Sequence, residues 1–155
     1  MVTEEERASP IGFFLYGDSY LYSAKELKRL DLRCTHPHAP IYFLYHQSIE
    51  LYLKAFLRQK GQLVRDIRGH KLVPLAEKAM SFGITIEGSD MYVFELLDYA
   101  HIAITARYLR VGPSKRPQLQ DLDHTCDNVR SIIATEMRRA GHLLRPFPKT
   151  LGNGD

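Results

Sequence analysis

Between Pro40 and Gly61 the chain places His46, Glu50, Lys54 and Arg58 four residues apart, so that an imidazole, a carboxylate and two cations stack along one side of a helix. Ile41, Leu44, Ile49, Leu51, Leu53, Phe56 and Leu57 cover most of the remaining surface, which assigns this helix to the middle of a bundle. A polar stripe on so apolar a helix must be desolvated, paired or opened onto a groove. His46, Gln47 and Glu50 are therefore the first candidates for chemistry. The competing reading is structural: Glu50 precedes Lys54 by one helical turn, an ordinary ion pair worth roughly a few tenths of a kcal/mol on a solvated helix.

Other constellations are thinner. Asp98 and His101 lie one turn apart on a later helix and, with Glu95, are candidates to face His46 and Glu50 across a bundle. A di-iron bundle requires paired Glu-x-x-His motifs, and the sequence has none. Cys34, His36 and His38 are too closely spaced for a tetrahedral zinc shell drawn from separated ligand pairs. No metal and no cofactor is expected. Arg107, Tyr108, Arg110 and Arg116 join a helix end to a loop, as cations that offset the carbonyl end of a helix or as a phosphate edge with a tyrosine for base stacking.

The elements that must position these groups are helical. A first helix is expected from an Asp18 cap to about Leu32, with Tyr20, Ala24, Leu27 and Leu30 inward. The second spans 40–60, with Pro40 in its first position and Gly61 as its left-handed cap. A short amphipathic helix over 70–82 and two longer ones over 89–109 and 117–140 follow. Ile84-Thr85-Ile86 alternates, but over too short a run to found a sheet. The fold expected is all-α, an up-and-down four-helix bundle with one additional short helix. It occupies 18–141, between an N-terminal segment, 1–17, and a proline- and glycine-punctuated tail, 142–155, that ends in disorder.

Composition narrows the function classes. A chain of 155 residues with 45% apolar content builds one core, and a net charge of +3 is too small to signal nucleic-acid binding by itself. The basic excess is concentrated from Arg107 onward. Two cysteines without a Cys-x-x-Cys pattern indicate reduced thiols and a cytoplasmic setting. No apolar run approaches the ~20 residues of a membrane span, and the acidic start MVTEEERASP lacks the character of a secretory signal.

The helix HQSIELYLKAFLRQKG, the Gly-His-Lys-Leu opening of the next helix and Ala106-Arg107-Tyr108 together resemble the HEPN superfamily over roughly residues 15–140. The resemblance implies nucleotide or RNA binding, or a metal-independent endoribonuclease of a toxin–antitoxin, defence or RNA-processing system. It also implies a homodimer and, as a further alternative, partnership with a nucleotidyltransferase. In the ribonucleases an arginine precedes a histidine by four to six intervening residues near the late helices. Imidazole moves the proton of the ribose 2′-hydroxyl or of the departing oxygen, and guanidinium stabilises the phosphorane-like charge. Here the late histidines His124 and His142 lack that spacing, which occurs instead at Arg65 with His70, Arg33 with His38 and Arg29 with His36. The expected function is a non-catalytic nucleotide- or RNA-binding module contacting phosphate through Arg107, Tyr108, Arg110 and Arg116. His46, Glu50, Arg65 and His70 are the catalytic candidates if the enzyme alternative holds.

Overall fold

In a computed structural model describing residues 1, 3, 7–100 and 115–151, helix α1 spans Pro10–Arg29. Ser9 caps it by accepting the Gly12 amide at 3.0 Å, and Pro10 takes the first turn, where no amide is needed. The start expected at Asp18 is thereby corrected. Asp18 sits inside the helix, and its carboxylate accepts hydrogen bonds from Tyr52 and, at 2.7 and 3.0 Å, from Arg130. The neighbouring Gly17 is also inside the helix, and it leaves room for Tyr52, whose ring carbons would lie 2.8 Å from an added Cβ.

Helix α2, His38–Gln59, begins two residues before Pro40, which is tolerated because first-turn amides have no intrahelical acceptor. Gly61 closes it with φ of 84°, while the amides of Gly61 and Gln62 return to Arg58 and Leu57. A 3-10 turn, Val64–Ile67, leads to α3, Leu72–Ser81, then α4, Gly88–Tyr99, and α5, Leu119–Arg139. The continuation expected for α4 as far as residue 109 lies outside the described residues. No strand occurs among the described residues, and Ile84 and Ile86 are buried in the helical core.

Contacts fix the helix directions. Arg58 reaches Ala8, Phe14 packs on Tyr52 and Ser48 donates to the Gly17 carbonyl, so α1 and α2 run antiparallel. Tyr42 reaches Pro117, Cys126 reaches Tyr45 and His142 pairs with Gln59, so α2 and α5 run parallel. This is the expected all-α bundle, with α2 touching α1, α3 and α5. Tyr45, Ile49, Tyr52, Leu53, Phe56 and Leu57 of α2 are fully buried. Each such aliphatic or aromatic side chain contributes about 1.5–3 kcal/mol relative to exposure. Among the described residues, no helix is long and apolar enough to cross a membrane. Neither cysteine is paired: Cys34 is exposed and Cys126 is buried, where desolvation drives its thiol pKa upward.

The described part of the tail lies on the bundle, and its last residues, expected to end in disorder, lie outside the described residues. Leu144 and Phe147 pack against the core, Phe147 meets Tyr22 at a ring-centroid distance of 6.4 Å, and the Leu151 amide donates to Glu26. The Arg130 guanidinium lies between Phe14 and Phe147, 5.3 and 5.0 Å from their ring centres. Cation–π attraction thus adds to the Asp18 ion pair in holding it. A groove of ≈ 790 Å³ lies between α1, from Ile11 to Ser23, and this tail.

Candidate polar site on the central helix

The stripe read from sequence is real, but it is turned inward. His46 is 1% exposed, Glu50 4% and Lys54 7%. Lys54 Nζ donates to Glu50 Oε1 at 2.6 Å, and His70 Nδ1, arriving from the loop before α3, lies 3.1 Å from the same oxygen. The Glu50–Lys54 pair is therefore no solvated helix-face contact, and its separation from water makes each partner depend on the other. His46 Nδ1 stands 3.8 Å from Glu50 Oε2, beyond a hydrogen bond, and both atoms are buried without a hydrogen-bond partner among the described residues.

Asp98 of α4 approaches from the other side. Its two carboxylate oxygens accept the amides of Leu72 and Val73, each at 2.8 Å. The residue at the N-cap of α3, Lys71, supplies no side-chain cap, so a carboxylate from another helix satisfies the orphan donors and meets the positive end of the helix dipole. The Asp98 carboxylate is thus committed to two amides. Glu95 is exposed, and His101 lies outside the described residues. No group of three or more His, Cys, Asp or Glu suited to a metal ion occurs among the described residues.

The structure thus brings together His46, Glu50 and His70 of the sequence candidates, with Lys54 as a fourth member. Arg65 lies exposed in the 3-10 turn, five positions before His70 and without a bond to this cluster among the described residues. Arg116 is half-buried against Tyr42, with its guanidinium carbon 5.4 Å from the ring centre, and its Nε is a buried atom without a hydrogen-bond partner among the described residues. The adjacent Tyr42 hydroxyl donates to the Pro117 carbonyl. Arg107, Tyr108 and Arg110 lie outside the described residues.

Sequence reasoning missed the other buried polar ties. Tyr45 donates to Asp123 at 2.6 Å, and Lys25 bridges Asp123 and Asp127 at 2.9 and 3.0 Å. Burial opposes the charged Asp123 carboxylate, but the hydrogen bonds from Tyr45 and Lys25 outweigh it and hold its pKa below the usual range. Asp90, 2% exposed in the first turn of α4, accepts from Thr125 and Asn128 of α5. The signal for both ties is an acid at an inward position of an amphipathic helix.

Burial depresses the His46 pKa against the opposing pull of Glu50 and Asp98, and the neighbouring His70 adds to the depression. A histidine that protonates less readily when folded contributes stability in full above its unfolded pKa of about 6.5. That stability is lost as the pH falls below this value, because the unfolded chain then binds more protons. One such proton limits the slope to about 1.4 kcal/mol per pH unit. Thermal melts should therefore show a lower Tm at pH 5.5 than at pH 7.5, and His46→Gln should flatten the difference. The Asp123 contribution acts in a separate window, failing only as the pH falls below the ordinary carboxylate range near ~4. An unchanged slope in the His46 variant would show that this imidazole is not the titrating group.

A model of the HEPN domain matches residues 18–139. No curated protein and no solved structure matches the chain. The HEPN match spans α2 with its inward stripe, the His70 loop, Asp98 and α5, and on that extent the chain belongs to the HEPN domain family, with a role that in general terms concerns nucleotides or RNA.

Proposed function

We propose that this protein is a HEPN module that binds a nucleotide or RNA through its phosphates, without cleaving it, and that it does so as a homodimer. The observation that carries the reading is the contrast between a closed interior and a cationic rim. His46 and Glu50 are withdrawn from solvent, so neither meets a substrate directly. Arg65, Arg68, His70 and Lys71 are all exposed on the stretch from the 3-10 turn to α3, His70 meeting Glu50 itself, and Arg116 precedes α5 and lies against Tyr42, one turn before His46 on α2. Phosphate binding needs such a rim and no buried acid–base pair. The sequence supplies two more cations and a ring suited to base stacking in Arg107, Tyr108 and Arg110, which lie outside the described residues.

Fluorescence anisotropy with a short single-stranded RNA should show binding that weakens with salt, by a log–log slope of about −0.7 per phosphate neutralised. Lys71→Glu and Arg116→Glu should each weaken binding and make that slope shallower, because each removes a counterion-releasing contact. Absence of binding to RNA and to mononucleotides would overturn the reading.

One observation favours the ribonuclease alternative. Arg65 precedes His70 by four intervening residues, and the His70 ring rests on a buried carboxylate as a general base would. Incubation of RNA with the protein in EDTA decides between the two readings. Intact RNA is expected, and cleavage abolished by His70→Ala would establish the enzyme instead.

A further inference from the structure

One wall of the ≈ 790 Å³ groove is α1 from Ile11 to Ser23, and the other is the tail from Leu143 to Pro148. The walls run side by side in the same direction, since Phe147 packs on Tyr22 and the Leu151 amide reaches Glu26, one turn further along α1. Leu143 on the tail wall is 98% exposed and Leu15 on the helix wall 54%. Neither belongs to the core of its own chain. Asp18 is the only formal charge between Arg7 and Lys25, so the helix wall presents one carboxylate, and the tail wall presents one exposed cation, Arg145. Tyr52 and Arg130 take three of the roughly four acceptor positions of that carboxylate, which leaves one for a further donor.

A projecting leucine beside an apolar trough, and a cation opposite a carboxylate, are the two halves of a self-complementary surface. A two-fold axis lying along the groove, between its walls, turns a second copy so that the tail of each chain meets α1 of the other at the same level. Leu143 of one copy then enters the trough beside Leu15 of its partner, and Arg145 faces the wall that carries Asp18. Each contact occurs twice. A helix wall with a single, already paired charge also avoids the like-charge repulsion that a two-fold axis otherwise creates.

The groove lies away from the cationic rim. Ser48 and Tyr52 of α2 face α1, whereas Glu50, two residues on from Ser48 and so ~200° round the helix, faces His70. Resting on the homodimer of the reading above, we propose that the α1–tail groove is its interface, each copy filling the other's trough with Leu143, so that the two rims face outward and each binds independently. The helix wall is ~20 Å long, and with one extended segment beside it the contact stands at the small end of specific interfaces. A dissociation constant on the order of 10 μM is expected.

Sedimentation velocity of the full chain should move from monomer to dimer between about 1 and 100 μM. Leu143→Glu should raise the dissociation constant at least about tenfold, because it sets an unpaired carboxylate in each trough, and Leu15→Glu should act in the same direction. Both side chains are exposed, so thermal melts of the dilute variants should match the wild type. Tyr92→Glu, at a tyrosine 49% exposed on α4 away from the groove, should leave the dimer unchanged. The Leu144, Arg145 and Phe147 amides should exchange more slowly at high than at low protein concentration, and this dependence should vanish in Leu143→Glu. RNA affinity per chain should stay within about twofold in that variant. A monomer at every concentration would overturn both the inference and the homodimer, while RNA binding by the same samples would leave the phosphate reading standing. A dimer indifferent to both glutamates, or weakened equally by Tyr92→Glu, would overturn this interface and keep the homodimer. Loss of RNA binding in Leu143→Glu would overturn the outward placement of the rims.

Discussion

Glu50→Leu should destabilise the fold by about 3–5 kcal/mol in urea titrations, the cost of leaving a buried charge without its partner. Lys54 is 7% exposed and its ammonium lies 2.6 Å from Glu50, so the single variant strands a buried cation. Adding Lys54→Met should recover most of the loss, because the desolvation cost of the pair disappears together with its attraction. The two losses are therefore strongly non-additive. A cost below about 1 kcal/mol for Glu50→Leu would mean that the lysine swings out to water, as solvated ion pairs permit.

Gly17→Val should cost about 2–3 kcal/mol, by overpacking. In an exposed helix interior, replacing glycine by alanine gains about 1 kcal/mol of helix propensity. Here the gain is overridden, since a Cβ at Gly17 would stand 2.8 Å from two carbons of the fully buried Tyr52 ring. Tyr52 cannot turn aside freely, because its hydroxyl is bonded to Asp18 and its ring packs on Phe14 at 5.1 Å. The valine must therefore push α1 from α2 and stretch the Ser48 bond to the Gly17 carbonyl. Chemical denaturation that gives unchanged or increased stability would show that the interface yields at little cost.

The same glycine explains where sequence reading failed. Gly17-Asp18-Ser19 has the composition of a helix start, whereas Ser9-Pro10 carried the true one. Glycine was needed there for the approach of another helix, a fact that no local pattern contains. Helix α2, by contrast, was legible within two residues at its start and one at its end, because its apolar positions and Gly61 agree. The spacing of His46, Glu50 and Lys54 revealed a stripe but left its direction open, since periodicity orders residues around an axis without saying which neighbour faces them. That His70 and Asp98 complete the cluster depends on where α3 and α4 dock. Asp98 in particular attends to amides 26 and 25 positions away.

The Arg130 guanidinium held between Phe14 and Phe147 sets an order of assembly. Phe14 belongs to α1, Arg130 to α5 and Phe147 to the tail, so the seat of the tail exists only after the first and last helices have met. The final ten described residues are thus expected to be the last part of the chain to settle and the first to leave. Among the described residues, their backbone ties to the bundle are few: the His142 amide to Met137 and the Leu151 amide to Glu26. In hydrogen exchange, the tail should open independently of the helices, exposing Phe14 and Tyr22 while the bundle stays closed. Lys149, exposed and followed by Thr150, then offers trypsin a cleavable bond, whereas the Arg145–Pro146 bond resists it.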